Sequence, residues 1–203
     1  MSSGAPAVSD GRRARGLRTR EGILVEAVNL ASLEGLESLT IGRLADRTSV
    51  SKSGLFAHFK SKEGLQLATV DAAAEIFTRE VIFPARDLPA GIERLRAALD
   101  AWVDYLRRDV FPGGCFFQAA SLEFDSRGGP VRDRVAGAMR SWLEWLEKLA
   151  EDVSWPNGTD VPQVAFELNA IGLAANWQRQ LLADDTALDR AEAAFARVLT
   201  GAK

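Results

Sequence analysis

The hydrophobic positions along this chain repeat with the spacing of α-helices. One amphipathic helix is predicted by Ile92, Leu95, Leu99, Trp102, Val103 and Leu106, and another by Val131, Val135, Met139, Trp142, Trp145, Leu146 and Leu149. Turn residues separate the helical segments, at Pro84 and Pro89, Pro112-Gly113-Gly114, Gly128-Gly129-Pro130 and Pro156-Asn157-Gly158. Because no alternating pattern of useful length indicates a β-strand, the sequence predicts an all-α fold.

Residues 40–62, TIGRLADRTSVSKSGLFAHFKSK, contain two short helical patterns joined by a tight turn. Thr40 and Ser51 are suitable N-caps for the two helices. The inward positions are Ile41, Leu44 and Ala45 on the first helix, and Leu55 and Phe59 on the second. The second helix leaves hydrogen-bond donors, one ring and very small residues on its other faces, at Lys52, Ser53, Gly54, Phe56, Ala57 and His58. This is the sequence form of a DNA-reading helix-turn-helix, although periodicity alone fits any small helical domain.

Several short runs add specificity to this pattern. They are Leu44-Ala45, Val50-Ser51-Lys52, Leu55-Phe56 and Phe59-Lys60-Ser61-Lys62-Glu63, preceded by Ile23, Ala27, Leu30 and Gly35. Their order resembles the DNA-binding domain of the TetR family of transcriptional regulators, over roughly residues 18–70. Further along, GGCFFQAASLEFDSRGGPVRDRV is similar to the ligand domain of one TetR subgroup.

The resemblance implies three regions: a flexible basic arm (1–17), a three-helix helix-turn-helix domain (18–64) and a helical ligand-binding and dimerisation domain (65–203). The positions that match the family's DNA-contacting set are Thr40, Arg43, Ser51, Lys52, Ser53, Gly54, Phe56, His58 and Lys62. We expect Thr40 and Lys62 to hold phosphates, and Lys52, Ser53 and His58 to approach bases.

The chain departs from the common family pattern at the turn and on the second helix. Ser49 stands where glycine is usual, so the turn must form without the residue that most readily adopts a positive φ. Phe56 replaces a tyrosine and has no hydroxyl to offer DNA, and Ala57-His58 replaces a bulkier pair. Some of the usual phosphate or base contacts are therefore lost.

Charge is distributed unevenly between the two ends of the chain. Residues 1–62 carry 10 Lys and Arg against 6 Asp and Glu, whereas the remainder carries 15 against 22. Only the first part attracts DNA phosphates. The basic arm contains Arg12, Arg13 and Arg15, and Arg18 and Arg20 follow it. This arginine-rich segment is either a solvated start of the chain or one that follows phosphates or enters the minor groove.

Residues 164–177 are apolar nearly all round the predicted helix. Such a helix is either central within one subunit or shared between two subunits. An apolar stripe at Ala191, Ala194, Phe195 and Val198 is available to join it in an interface. The resemblance favours a homodimer formed through the last two helices, which would read a palindromic operator in double-stranded DNA.

The middle helices supply rings and a few polar groups that together suit a pocket for an apolar or aromatic effector. The residues predicted to bind it are Trp102, Phe116, Phe117, Gln118, Glu123, Trp142 and Asn169, with Phe124 and Trp145 nearby. Aromatic residues at helical spacing equally form an ordinary core. By resemblance, a small molecule that binds here releases a repressor from DNA.

Other function classes fit the residue inventory less well. One histidine and one cysteine cannot build a His-rich metal site, and Leu55 three residues before His58 excludes a Glu-x-x-His motif. The pairs Glu123 with Asp125 and Glu144 with Glu147 are typical of solvated helix faces, so we expect no enzyme and no cofactor. A ligand-binding or protein-interaction module without DNA binding remains the alternative.

The sequence also carries a prediction about location. The start of the chain is rich in arginine and lacks the apolar core of a secretory signal. No run of about 18 apolar residues follows that could span a membrane. A single cysteine, Cys115, excludes an internal disulfide. We expect a cytoplasmic protein with no membrane partner.

Overall fold

The computed structural model describes residues 8–200, with side chains from Arg20 onward, and these residues form helices joined by short loops. The helices are α1 (Val8–Glu34), α2 (Ile41–Arg47), α3 (Lys52–Phe59), α4 (Lys62–Phe77), a π-helical segment (Thr78–Ile82), α5 (Phe83–Arg86), α6 (Ile92–Arg107), α7 (Phe116–Phe124), α8 (Pro130–Glu151), α9 (Val161–Leu182) and α10 (Ala187–Leu199). No strand occurs within residues 8–200, and the all-α prediction is confirmed.

The first helix begins earlier than the sequence indicated. Residues 8–17, which we predicted to be part of a flexible arm, are helical and continue into the rest of α1. Arginine favours helix and no proline interrupts these residues, which is consistent with an extended first helix. Residues 1–7 of the arm lie outside the described residues. Contact between the arm and DNA stays a prediction.

Hydroxyl side chains begin the three helices that follow α1. The Oγ1 of Thr40 accepts from the Arg43 N–H at 3.2 Å, the Oγ of Ser51 from the Gly54 N–H at 3.2 Å, and the Oγ of Ser61 from the Gly64 N–H at 2.9 Å. Each bond satisfies a backbone donor that has no partner inside its own helix. Both N-caps predicted from the sequence, Thr40 and Ser51, are therefore present.

The turn between α2 and α3 forms without a glycine. The Thr48 hydroxyl donates to the Leu44 carbonyl at 3.0 Å and accepts from the Val50 N–H at 3.4 Å, which ties the turn to the end of α2. Among the described residues other than glycine, a positive φ occurs at Lys60, Asp109 and Ala183, and not at Ser49. Serine is therefore compatible with this turn.

The helical backbone is not interrupted at Pro84. This corrects the sequence prediction, which placed a break between helices there. The helical backbone continues from α4 through the π-helical segment into α5, and the Phe83 N–H bonds to the Thr78 carbonyl five residues earlier. This wider turn accommodates a residue that has no N–H and whose ring would collide inside a regular α-helix. The predicted break at Pro89 is present, between α5 and α6.

One continuous hydrophobic core connects the two ends of the molecule. Near the N-terminus, Ala27 and Val28 of α1 are fully buried together with Leu44 of α2 and Leu55 of α3. Around the middle of the chain, rings from α4, α6, α7 and α8 pack edge to face. The helix α4 contacts both groups, since it packs on α1 and on α8.

The helix α9 has apolar residues on two sides. Val164, Leu168 and Ala175 are buried against the rest of the subunit, whereas other large apolar residues remain exposed, namely Phe166, Trp177, Leu181 and Leu182. Phe166, Trp177 and Leu181 lie on the side of α9 opposite the buried residues, whereas Leu182 lies at the C-terminal end of the buried side. No helix within residues 8–200 is both long enough and apolar enough to cross a membrane.

Candidate nucleic-acid interface and effector cavity

The second helix of the helix-turn-helix presents a polar surface with one exposed ring. Leu55 and Phe59 are buried beneath it, and the guanidinium of Arg20 lies 5.8 Å from the centre of the Phe59 ring. The exposed side chains are Ser51, Lys52, Ser53, Phe56, Ala57, His58 and Lys60. An α-helix of eight residues is about 12 Å long, which fits a DNA major groove. The structure thus brings together on one surface the α3 residues that the sequence predicted.

Cations on α2 are paired with a glutamate at the end of α1. Arg43 and Arg47 both form ion pairs with Glu34, the second at 3.0 Å. These exposed pairs hold α2 against α1 weakly, because solvent screens them. Both guanidinium groups remain at least half exposed, which leaves them accessible to a phosphate.

Lys62, at the first position of α4, forms an ion pair with Glu37. Its Nζ lies 2.8 Å from Glu37 Oε1, and Arg127 lies 3.4 Å from the other oxygen of the same carboxylate. The hydrogen bond from Lys62, assisted by one from Gln66, holds the pKa of Glu37 below its ordinary value. A phosphate that binds Lys62 must compete with Glu37 for it.

A cavity of about 200 Å³ lies between α4, the π-helical segment, α6, α7, α8 and α9. Its lining residues are Ala74, Phe77, Thr78, Ile82, Trp102, Cys115, Phe117, Gln118, Ala138, Met139, Ser141, Trp142, Asn169 and Leu173. Five of the seven residues that we predicted from the sequence are among them: Trp102, Phe117, Gln118, Trp142 and Asn169. A binding role for these five stays a prediction, although the structure places them around one space.

The other two predicted ligand residues lie elsewhere. Phe116 is 1% exposed and does not border the cavity, because its ring packs behind the lining, 6.0 Å from Phe111 and 5.3 Å from Phe117. Helical spacing explains this result, because neighbouring residues on α7 point about 100° apart and only Phe117 faces the cavity. Glu123 is a full turn beyond the cavity and faces α1, which removes it from the expected ligand set.

Glu123 instead holds the loop between α1 and α2. Its carboxylate accepts hydrogen bonds from the backbone N–H groups of Leu36 at 2.7 Å and Glu37 at 3.3 Å. Gly35 precedes this loop with φ +88°, and a Cβ there would overlap the Glu123 carboxylate. The cavity and the helix-turn-helix are therefore linked by α7, which lines the cavity with Phe117 and Gln118.

Several lining residues were not predicted from the sequence. Phe77 of α4 lies 5.2 Å from the Trp142 ring, at nearly a right angle. Met139 and Leu173 complete the wall from α8 and α9. Met139 belonged to a predicted amphipathic stripe, but periodicity identifies the buried side of a helix and does not show which part of that side borders an empty space.

Family models match most of the chain. Residues 23–69 match the model described as "Bacterial regulatory proteins, tetR family", and residues 91–195 match "Tetracyclin repressor-like, C-terminal domain". A curated relative, the HTH-type transcriptional activator FasR of Mycolicibacterium smegmatis, is 31% identical over 87 residues. That match covers 43% of this chain and 40% of FasR, so the chain matches less than half the length of this relative.

Solved structures share the architecture over nearly the whole chain. A TetR transcriptional regulator from Chloroflexus aurantiacus J-10-FL superposes with a TM-score of 0.83 and 26% identity, covering 92% of this chain and 96% of that one. AibR, solved in complex with isovaleryl coenzyme A and operator DNA, superposes with a TM-score of 0.69 and 21% identity, covering 88% and 95%. The second similarity concerns the fold alone.

Proposed function

Since the chain belongs to the TetR family of DNA-binding transcriptional regulators, we propose that it binds a palindromic operator as a homodimer and leaves it when a small molecule enters the cavity. The observation that carries the proposal is the exposed polar surface of α3. Ser51 caps this helix, and its buried residues belong to the same hydrophobic core as the rings around the cavity. The family consists of regulatory proteins rather than enzymes. Because its target is chromosomal DNA, we place this protein in the bacterial cytoplasm.

The proposed DNA contacts divide into two groups. Thr40, Arg43, Ser51 and Lys62 lie at or near helix N-termini, where hydroxyls, cations and backbone N–H groups suit phosphates. On α3, the side chains of Lys52, Ser53 and His58 approach base edges, Phe56 makes apolar contact, and Gly54 permits close approach of the backbone. On binding, Lys62 exchanges Glu37 for a phosphate oxygen.

Dimerisation through α9 and α10 is supported by the apolar surface of α9. Phe166 and Leu181 are each 66% exposed in the single subunit, and burying such side chains between two subunits is favourable. A two-fold axis through this interface places a second copy of α3 on the partner subunit, and the two operator half-sites would then be about 34 Å apart.

The dimer is tested by sedimentation of two variants. Leu181→Asp should yield monomers, whereas Leu122→Asp on α7, which is equally exposed, should leave the dimer intact.

The effector acts by preferring one arrangement of the DNA-reading helices. A ligand shifts a conformational equilibrium only by its difference in affinity for the two states. Two helices reach both the cavity and the proposed DNA-binding domain. The helix α4 lines the cavity with Phe77 and carries Lys62 at its start, while α7 lines the cavity with Phe117 and binds the loop before α2 with Glu123. Displacement of either helix by a ligand therefore reaches the loop that precedes α2.

The experiment that tests DNA binding is selection of bound sequences from a random DNA library by the full-length protein. We expect recovery of a two-fold symmetric site at moderate salt. The variant Lys52→Ala/His58→Ala should lose the enrichment, while Lys148→Ala, which removes an exposed cation from α8, should keep it. Folded protein that recovers no site would contradict the proposal and favour a ligand-binding module without DNA binding.

A further inference from the structure

The lining of the cavity carries no formal charge. None of the residues that line it is Asp, Glu, Lys, Arg or His. A charged ligand entering this space would lose its hydration without gaining an ion pair, and that exchange is strongly unfavourable. The cavity therefore suits an uncharged molecule, and its rings favour an apolar or aromatic body.

Two of the polar groups in the lining are already occupied. Asn169 Oδ1 accepts from the Trp142 indole N–H at 3.0 Å. Gln118 donates from Nε2 to the Leu173 carbonyl at 3.0 Å and accepts at Oε1 from Asn176 at 2.6 Å. These bonds hold α7, α8 and α9 together, so Asn169 Oδ1 and both ends of the Gln118 amide are engaged within the fold.

Trp102 differs from these groups, because its indole N–H has no hydrogen-bond partner among the described residues. The residue is 3% exposed and lines the cavity. Buried donors without partners are rare in folded proteins and need an explanation. The ring is held in place by close packing against Gly172, where any Cβ would overlap it. The nitrogen itself is covered by neighbouring side chains, so a ligand acceptor reaches this donor when those side chains move aside.

The size of the cavity limits the ligand further. A volume of about 200 Å³ is smaller than the roughly 300–1,000 Å³ that is typical of pockets for drug-sized molecules. A single substituted ring or a short branched chain fills such a space. A nucleotide-sized group does not fit inside it.

We propose that the effector is a small, uncharged, mainly apolar molecule with one hydrogen-bond acceptor, such as an aryl ketone, aldehyde or ester, and that the Trp102 indole N–H donates to that acceptor. The assignment rests on the proposed function, which makes this cavity the effector site. Trp102 sets specificity, because it distinguishes a carbonyl compound from a hydrocarbon of the same shape.

The test compares acetophenone, cumene and benzoate, which have the same number of non-hydrogen atoms and the same branched outline. They differ in carrying a carbonyl, a methyl group or a charge at equivalent positions. Calorimetric titration of the full-length protein should give about tenfold tighter binding of acetophenone than of cumene, as one hydrogen bond to a buried donor provides. Benzoate should give no binding at the same concentrations.

Two variants test whether Trp102 is the side chain that distinguishes acetophenone from cumene. Trp102→Phe keeps a ring and removes the N–H, so the ratio of the two affinities should fall to about one. Trp155→Phe is the matched control, because its N–H bonds to the Ala150 carbonyl outside the cavity, and the tenfold ratio should remain. If Trp102→Phe does not fold, the five assigned indole N–H signals of the natural protein provide the readout by NMR.

In that NMR experiment acetophenone should shift the Trp102 indole proton strongly to lower field, and cumene should not. The inference is overturned by tight binding of benzoate, by equal affinities for acetophenone and cumene, by a ratio that survives Trp102→Phe, or by no binding of any of the three. If Trp102 distinguishes acetophenone from cumene but the protein selects no DNA site, this inference is supported and the proposed function is contradicted. If the protein selects a palindrome but binds both ligands equally, the proposed function is supported and this inference is contradicted.

Discussion

The backbone of Leu36 is bonded on both sides by side chains from other helices. Its N–H donates to the Glu123 carboxylate of α7 at 2.7 Å, and its carbonyl accepts from Gln66 Nε2 of α4 at 2.8 Å. Leu36 itself is 1% exposed. The loop that leads into the helix-turn-helix is therefore fixed by α4 and α7, two of the helices that line the cavity.

Removing the Glu123 carboxylate should destabilise the protein. Glu123→Ala leaves the Leu36 and Glu37 N–H groups without their acceptor, and we expect a loss of about 1–3 kcal/mol in the free energy of unfolding. Glu123→Gln keeps one acceptor oxygen and should lose less. Urea unfolding followed by circular dichroism measures both. If Glu123→Ala unfolds at the same urea concentration as the natural protein, the hydrogen bonds do not stabilise the fold.

A side chain at position 35 should disturb the same contact. Gly35→Ala places a Cβ against Glu123 and forces alanine into φ near +88°, so we expect a loss of about 1–2 kcal/mol or more. The double variant Gly35→Ala/Glu123→Ala relieves the overlap but not the backbone strain. Its loss should therefore be smaller than the combined losses of the single variants. Additive losses would show that the overlap contributes nothing.

Lys62 and Lys52 should have different effects on DNA binding. Lys62→Ala removes a phosphate contact, so affinity should fall on every sequence and the slope of log affinity against log salt should flatten by about one. Lys52→Ala should also relax base preference. Titrations of operator and random duplexes at several salt concentrations distinguish the two. Equal effects of both variants on the two duplexes would contradict this division.

Glu37 should contribute to the pH dependence of stability. Its pKa is lowered in the folded state by the hydrogen bond from Lys62, so the folded state binds this proton less readily than the unfolded chain does. The stabilisation is present above the ordinary pKa of 4.5 and is lost as the pH falls through the lowered folded value. Glu37→Gln should therefore lose less stability than the natural protein between about pH 6 and pH 3.

Urea midpoints at a series of pH values measure this effect. The matched control is Glu75→Gln on α4, whose side chain is exposed and should leave the pH dependence close to that of the natural protein. A Glu37→Gln profile parallel to that of the natural protein would show that the Lys62 pair contributes nothing to stability.

Ala183 ends α9 in a left-handed conformation that glycine adopts at lower cost. Its φ and ψ are 52° and 38°. Ala183→Gly should raise the free energy of unfolding by about 0.5–1 kcal/mol, after the greater freedom of glycine in the unfolded chain is deducted. The control Ala101→Gly, inside α6, should lower it by about 1 kcal/mol. Thermal unfolding measures both, and a lower melting temperature for Ala183→Gly would contradict the strain at this position.

Local features of the sequence determined the all-α fold and the helix-turn-helix. The caps at Thr40 and Ser51, and the buried pair Leu55 and Phe59, depend on residues within about one helical turn, so the pattern of types predicts them. Pro84 was the local exception. The single-residue rule that proline breaks a helix does not account for the π-helical turn just before it.

The tertiary structure alone decided the position of Glu123, the partner of Lys62 and the free donor of Trp102. Glu123 and Leu36 are 87 residues apart in the chain, and no periodicity within a helix relates them. Phe116 and Phe117 are neighbours of identical type, yet only the second borders the cavity. Such assignments depend on how separate helices pack against one another, and helical periodicity identifies a buried side without identifying the neighbours that it contacts.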